Sequence, residues 1–317
     1  MSQASKIPKQ RRATGRLSRS AINALGYRII REGIACRPLP WTPRAVMETD
    51  RLFADRQTVT PRALRRLILE ESYRAHVGHI GSALSVVDLL AALYGGVIRS
   101  KSPDDPDRDR FVLGKGHAAL ALYAALFLRG WLSRAELASY CADDSRLGVH
   151  PTHHLPGVDF STGSLGLGLS IAAGSALAAR LLGKDRRTYV LLSDAECNEG
   201  ATWEAAMFAG HHRLANLIVI VDVNGQQALG PTAEILNQSR MPERWASCGW
   251  TVREVDGHVP AAVRKALSPD PQEPLVVLAQ TVSGRGVSFM ERQVSWHYLP
   301  MSDEQYAIAL AQSEALA

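Results

Sequence analysis

Cysteine is scarce: the 317 residues hold four, Cys36, Cys141, Cys197 and Cys248, none in a CxxC spacing. That pattern supplies neither a paired-thiolate zinc site nor a disulfide framework, and reduced thiols in a cytoplasm are the expectation. Long apolar runs are also missing. Gly, Arg or Asp interrupts each one well before the roughly 18 residues a bilayer-spanning helix needs, so no membrane helix is expected. The first residues, MSQASKIPKQRRATGRLSRS, are basic, but no apolar core of roughly 7–15 residues follows, which excludes a secretory signal. No internal repeat is visible, and no low-complexity tract beyond this basic start.

What is present is ordinary globular composition, 46% hydrophobic and 21% charged, in a chain long enough for a large α/β domain with appended segments. Charge is unevenly placed. Residues 1–66 carry fifteen Lys or Arg against Glu32, Glu48, Asp50 and Asp55, so the rest of the chain is net acidic although the whole is +5. Residues 1 to about 20 read as a disordered tail. This Arg- and Ser-rich start fits an organellar transit peptide, an overlong start or a plain basic arm. It lacks the base-reading and stacking elements of a specific nucleic-acid binder, and no nucleic-acid partner is expected. Residues 21–56, with Pro38, Pro40 and Pro43, read as a loosely ordered lead-in.

From there the pattern alternates. Thr60-Pro61 predicts a helix start, Thr as cap and Pro at the first helical position, running to about His76. GHIGSALSVVDLLAALYGG is a Gly-bracketed turn and a helix with Leu84, Val87, Leu90 and Ala91 on its apolar face. FVLGKGHAALALYAAL reads as strand, Gly-rich turn and buried helix, and a polar helix-loop follows around residues 133–148. Gly163, Gly166 and Gly168 lead into an Ala-rich helix over 169–182. Two apolar runs then end in Ser193-Asp194-Ala195 and Asp222-Val223-Asn224-Gly225. Residues 250–255, 260–267 and 275–281 read as strand, helix, strand. Repeated β-then-α order predicts an α/β fold: a doubly wound, mostly parallel sheet with helices on both faces.

In such sheets ligands sit at the carboxyl ends of strands, and loops entering helix N-termini suit phosphate. Asp194 and Asn224, thirty positions apart, end two buried strands and could share a hard cation that carries a diphosphate. Magnesium or calcium takes oxygen ligands: a carboxylate from Asp194, an amide oxygen from Asn224, a backbone carbonyl near Gln226. Backbone N–H groups around Ala195 and Glu196 would face the phosphates. A strand-end Asp also serves as a simple cap, and these residues alone leave both readings open.

The stretch resembles the thiamine-diphosphate motif of transketolases, Gly-Asp-Gly followed downstream by an Asn. Other segments resemble the same family in order, from about Arg62 to Leu310. GHIG at Gly78–Gly81 is similar to its GHPG segment, GKGH at Gly114–His117 to NGH, GVHP at Gly148–Pro151 to GHP, STGSLGLG at Ser161–Gly168 to TGPLGQG, and SWHYLP to its last His-containing loop. The resemblance implies thiamine diphosphate with Mg2+ (or Ca2+) as cofactors. Asp194, Asn224 and Gln226 would hold the metal, the last through its carbonyl. Leu165, Gly166, Ala195 and Glu196 would lie beside the diphosphate, together with Asp194 and Asn224. His79, His117, His150 and His297 would line the reaction centre, as groups suited to hydrogen bonding and proton transfer near neutral pH. Glu199 would join a carboxylate network linking paired active sites. His153, His154, His211, His212 and His258 match nothing and read as structural.

Ser193 and Ala195 replace both motif glycines, and Ala195 would be strained if its position required positive φ. Ile80 replaces the Pro of GHPG, and Ser164 and Leu167 alter the TGPLGQG turn. The resemblance divides the chain into a basic extension (1–55), a diphosphate-binding domain (56–290) and a C-terminal loop and helix packed on it (291–317). No residue matches the Glu of the family's pyrimidine-binding domain. The expectation is therefore the N-terminal subunit of a split, two-component transketolase. It would move a two-carbon ketol unit from a ketose, expected to be phosphorylated, to an aldehyde acceptor. A separate subunit would carry the pyrimidine domain and catalytic Glu in an α2β2 heterotetramer. The alternatives are a related thiamine-diphosphate component acting on a 2-oxoacid (deoxyxylulose-phosphate synthase-like or decarboxylating), or a non-catalytic regulatory subunit.

Overall fold

A computed structural model describes residues 58–270 and 272–316; the expectations for residues 1–55 lie outside them. The helices are α1 (Pro61–Ala75), α2 (Ile80–Ser85), α3 (Val87–Ala92), α4 (Ala119–Leu128), α5 (Arg134–Leu137), α6 (Gly168–Leu181) and α7 (Gly200–His211), then α8 (Thr232–Ile235), α9 (Met241–Ser247), α10 (Pro260–Ala266) and α11 (Asp303–Ala315). The main sheet contains β1 (Arg110–Leu113), β2 (Thr188–Ser193), β3 (Leu217–Val223), β6 (Thr251–Asp256) and β7 (Leu275–Gln280); β4 (Gln226–Gln227) and β5 (Gly230–Pro231) form a small antiparallel ladder. All pairings in the main sheet are parallel, in the order β1-β2-β3-β7-β6.

Burial on alternate residues shows that helices cover both faces. Val190, Leu192, Val219, Val221, Val276 and Leu278 share one core with Leu169, Ala172, Ala173 and Ala176 of α6 and Trp245 of α9. Their strand neighbours Tyr189, Leu191, Ile218, Ile220 and Val277 point to the opposite face and are equally buried, as period-two alternation requires. β6, at one edge of the sheet, carries Arg253, Glu254 and Asp256 and is only partly covered, which suits an edge exposed to solvent.

Helix starts follow the sequence. Thr60 caps α1, accepting from the Ala63 N–H at 3.2 Å, and the Ala-rich helix begins at Gly168, a residue before its predicted start. One expected helix is broken. The segment after GHIG forms α2 and α3, with Val86 (φ −97°, ψ 2°) between them, and ends in a π-helical turn at Leu93–Val97. At the other end of α2, His79 stands as the N-terminal cap in left-handed backbone, φ 62°.

The register of β2 and β3 places Ser193 opposite Asp222. Asp194 and Asn224 therefore leave the sheet from adjacent carboxyl ends, where open parallel sheets hold ligands. β7 runs on the other side of β3 and brings Thr281 to the same end.

Candidate active site

At the strand ends the 224–226 turn folds back on Asp194. The Gly225 N–H (3.2 Å) and the Thr232 hydroxyl (2.7 Å) donate to its Oδ2, and the Ala195 N–H donates to Oδ1 at 2.9 Å. Asp194 is 1% exposed. Burial pushes its carboxyl up to about 6, and the Thr232 hydrogen bond offsets only part of that rise. A nearby cation would remove the penalty on the ionised form. Asn224 donates from Nδ2 to Asp222 Oδ2 at 2.9 Å and accepts the Gln226 N–H on Oδ1 at 2.9 Å.

Ala195 is not left-handed, so replacing the motif glycine causes no strain there. The Ala195 and Glu196 N–H groups, expected to face phosphate, are engaged within the chain, on Asp194 and on Ser193 Oγ (3.2 Å). The Glu196 side chain is turned into the core, where its carboxylate accepts the Ser193 N–H (3.1 Å) and the Gly166 N–H (3.3 Å). Burial lifts that carboxyl to about 7. Gly166 needs its missing side chain: φ is 88°, and a Cβ there would lie 2.6 Å from Glu199 Cβ. Leu165 beside it is exposed, and so is Glu199 at the start of α7.

Three histidines form a second cluster. The rings of His79, His117 and His297 have centroids 5.5, 5.1 and 5.1 Å apart, taken as 79–117, 79–297 and 117–297. The backbone joins them: the His79 N–H donates to the His297 carbonyl at 3.3 Å, and a Cβ on Gly78 would strike the Tyr298 carbonyl at 2.4 Å. Ser82 Oγ lies 3.1 Å from His117 Nε2 and 3.5 Å from His297 Nδ1. His150 adjoins the cluster, close enough for its charge to bear on His79 and His117, with Gly163 against its ring. Burial holds His79 below the ordinary imidazole value and His117 well below it, Lys115 adding to the effect on His117. His297 is pushed down to about 4 by burial, then by His79 and Lys115. All three are neutral at pH 7, each with one nitrogen able to donate and one to accept. His79 Nδ1 is buried without a hydrogen-bond partner among the described residues, the condition of a group shaped for a ligand.

Lys115 links the two clusters. It is 0% exposed, pairs with Asp222 Oδ2 at 2.5 Å, and reaches Ser85 Oγ (3.3 Å) and the Ser82 carbonyl (3.4 Å). Asp222 also accepts from the Ser85 hydroxyl (2.7 Å) and the Thr281 hydroxyl. Sequence reasoning missed Lys115, Asp222, Ser82 and Thr281 as site residues. A signal for Lys115 was there: a lysine between an apolar strand and an apolar helix must find an anion.

The histidines left as structural lie outside the His79–His117–His297 cluster. His258 bridges Asp88 (2.9 Å) and the Val282 N–H (2.9 Å), while His153, His154 and His211 are on the surface. Beside the 224–225 turn a cavity of about 450 Å³ opens, lined among others by Asp256, His258, Thr281, Arg285 and Arg292. Among the described residues no group of three or more His, Cys, Asp or Glu could hold a metal. A cation here would rest on mixed oxygen donors completed by its own ligand, the usual condition of magnesium bound to phosphates. The residues fit such a group: the buried carboxylate of Asp194, the amide oxygen of Asn224 and the 224–226 backbone turn that folds back on Asp194.

The parallel sheet with oxygen donors at its carboxyl ends defines a diphosphate-binding α/β domain. Residues 56–313 match the family described as transketolase, thiamine diphosphate binding domain, and the chain belongs to that family. It is 39% identical over 251 residues to an apulose-4-phosphate transketolase subunit of Phocaeicola vulgatus, covering 78% of this chain and 89% of that one. Identity is 38% to the 6-deoxy-6-sulfo-D-fructose transketolase subunit SqwG of a Clostridium species, over 79% and 94% of the two chains. The transketolase structure from Leishmania mexicana superposes with a TM-score of 0.76 at 30% identity. That match covers 82% of this chain but only 41% of the Leishmania chain. Among the described residues no helix is long and apolar enough to cross a membrane.

Proposed function

We propose that this chain is the cofactor-binding subunit of a two-component transketolase, transferring a two-carbon ketol unit from a ketose to an aldehyde. The observation that carries the reading is the placement of a neutral histidine cluster beside the Asp194–Asn224 crevice, joined through Lys115 and Asp222. Relatives matched over nearly their whole length bear names of transketolase subunits, which supports a separate partner subunit; in this reading that partner carries the pyrimidine domain and the catalytic Glu in an α2β2 assembly. The substrates in those names are a phosphorylated and a sulfonated sugar, so a ketose with an anionic far end is the donor class. Free thiols at Cys141, Cys197 and Cys248 accord with a cytoplasmic setting.

Asp194, Asn224 Oδ1 and the Gln226 carbonyl would hold a divalent cation, and Leu165, Gly166, Ala195 and Glu196 would form the wall beside the diphosphate. Thiamine diphosphate, when bound, supplies the carbanion chemistry. The chain's own share is to orient the donor. His79, His117, His150 and His297 would hydrogen-bond the ketose hydroxyls and carry protons between them; for His79, His117 and His297 the lowered imidazole pKa favours prompt release. Glu199, exposed at the start of α7, would meet the partner and complete the carboxylate network between paired sites.

The test is reconstitution with a pyrimidine-domain partner, thiamine diphosphate and Mg2+, against a panel of ketose donors and aldose acceptors. Ketol transfer is the expected result. Absence of turnover across the panel, or carbon dioxide release from pyruvate in its place, overturns the proposal.

A further inference from the structure

An amide side chain offers a cation either an oxygen or an NH2 group of nearly the same shape, and only the oxygen binds. A ligand Asn therefore needs something that decides which way it faces. For Asn224 two bonds decide it together: Nδ2 donates to Asp222 Oδ2 at 2.9 Å, and Oδ1 accepts the Gln226 N–H at 2.9 Å. A flipped amide would set oxygen against carboxylate and NH2 against N–H.

Asp222 can do this only if its carboxylate is itself fixed. It is 0% exposed, and three donors besides Asn224 hold it: Lys115 Nζ at 2.5 Å, the Ser85 hydroxyl at 2.7 Å and the Thr281 hydroxyl. A buried carboxylate without a cation is strongly disfavoured. Lys115 is the cationic side chain bonded to it, and arrives from the end of β1. The same ammonium reaches the Ser82 carbonyl at 3.4 Å, and Ser82 Oγ stands between His117 and His297. One buried ion pair thus touches both the cation end and the histidine end of the site.

We propose that Lys115 and Asp222 are positioning residues: together they lock the Asn224 carboxamide with its oxygen toward the divalent cation. This rests on reading Asp194, Asn224 and Gln226 as the cation's donors. A partner that orients a metal ligand in this way is worth about 10–100-fold in metal affinity.

The experiment uses the reconstituted complex, with calorimetric titration of thiamine diphosphate at fixed Mg2+ and paramagnetic-resonance titration of Mn2+. Lys115→Met and Asp222→Asn are each expected to weaken metal-dependent binding at least about tenfold. Thr281→Ser keeps a hydroxyl donor on Asp222 and is expected to bind Mn2+ within about twofold of the original, whereas Thr281→Val, of nearly the same size but without that donor, is expected to bind more weakly. A residue that merely fills the core would tolerate the valine at least as well as the serine. Thermal melting is followed in parallel. If the charge variants fail to fold, Thr281→Val, which removes one neutral donor from Asp222, is expected to weaken Mn2+ binding about threefold. Unchanged affinity in folded variants, or a Thr281→Val variant that binds as well as Thr281→Ser, overturns the lock. If the unaltered complex binds neither Mg2+ nor cofactor, the cation site itself fails, a distinct result.

Discussion

At the residue scale, burial drives two groups of side chains in opposite directions. His297, pushed down to about 4 from 6.5, binds fewer protons folded than unfolded in the interval between, so its contribution makes stability rise with pH from about 4 to about 6.5. Glu196, lifted from 4.5 to about 7, binds more protons folded, so its contribution makes stability fall as pH rises through that window. Glu196→Gln is neutral throughout. Relative to the original protein it is expected to be better tolerated at pH 8 than at pH 5, read from urea midpoints. An equal effect at both values would show that the carboxyl does not hold its proton. The Asp194–Asn224 pair was legible as two strand-end oxygens and the four histidines through the segments that resemble transketolases, and the structure brings them into two adjoining clusters. Asp222 was not, because an Asp near a strand end does not announce which neighbours it will hold.

At the element scale, Gly166 fixes how the 163–166 turn meets the start of α7. Gly166→Ala adds left-handed strain and a Cβ 2.6 Å from Glu199 Cβ, and should cost about 2–3 kcal/mol of stability by denaturant melting. It should also disturb the Gly166–Glu196 bond that ties the turn to β2. A cost near zero would mean that the turn is free to move. Element types were legible from local chemistry, as with Thr60-Pro61 opening α1 and the apolar runs forming β2 and β3. The division of α2 from α3 was not. Leu84, Val86 and Val87 are all apolar and all buried, so the break leaves no mark on the periodicity. Nor does any local pattern say that β7 enters the sheet between β3 and β6.

At the scale of the whole molecule, α11 closes the chain onto α1. Tyr306 stacks on Tyr73 with centroids 4.1 Å apart, the Tyr73 hydroxyl donates to Asp303 at 2.9 Å, and Ala309 is buried. Deleting residues 300–317 exposes that face of α1 and should cost about 2–3 kcal/mol, lowering the melting temperature by about 5–10 °C. An unchanged melting temperature would show that the segment is an appendage.

The strand order has a consequence in time. β6 is made before β7 but pairs only with β7, and β3 must wait for the same strand to cover its outer side. As the chain leaves the ribosome, the Asn224 turn is synthesised early. Its anchor Asp222 gains the Thr281 hydroxyl, and the histidine cluster gains His297, only some sixty residues later and beyond. Closing such distant parallel pairings is slow, so the nascent chain passes through a stage in which the edges of β3 and β6 stand open beside an unfinished site. That interval is when the protein has most to gain from a chaperone.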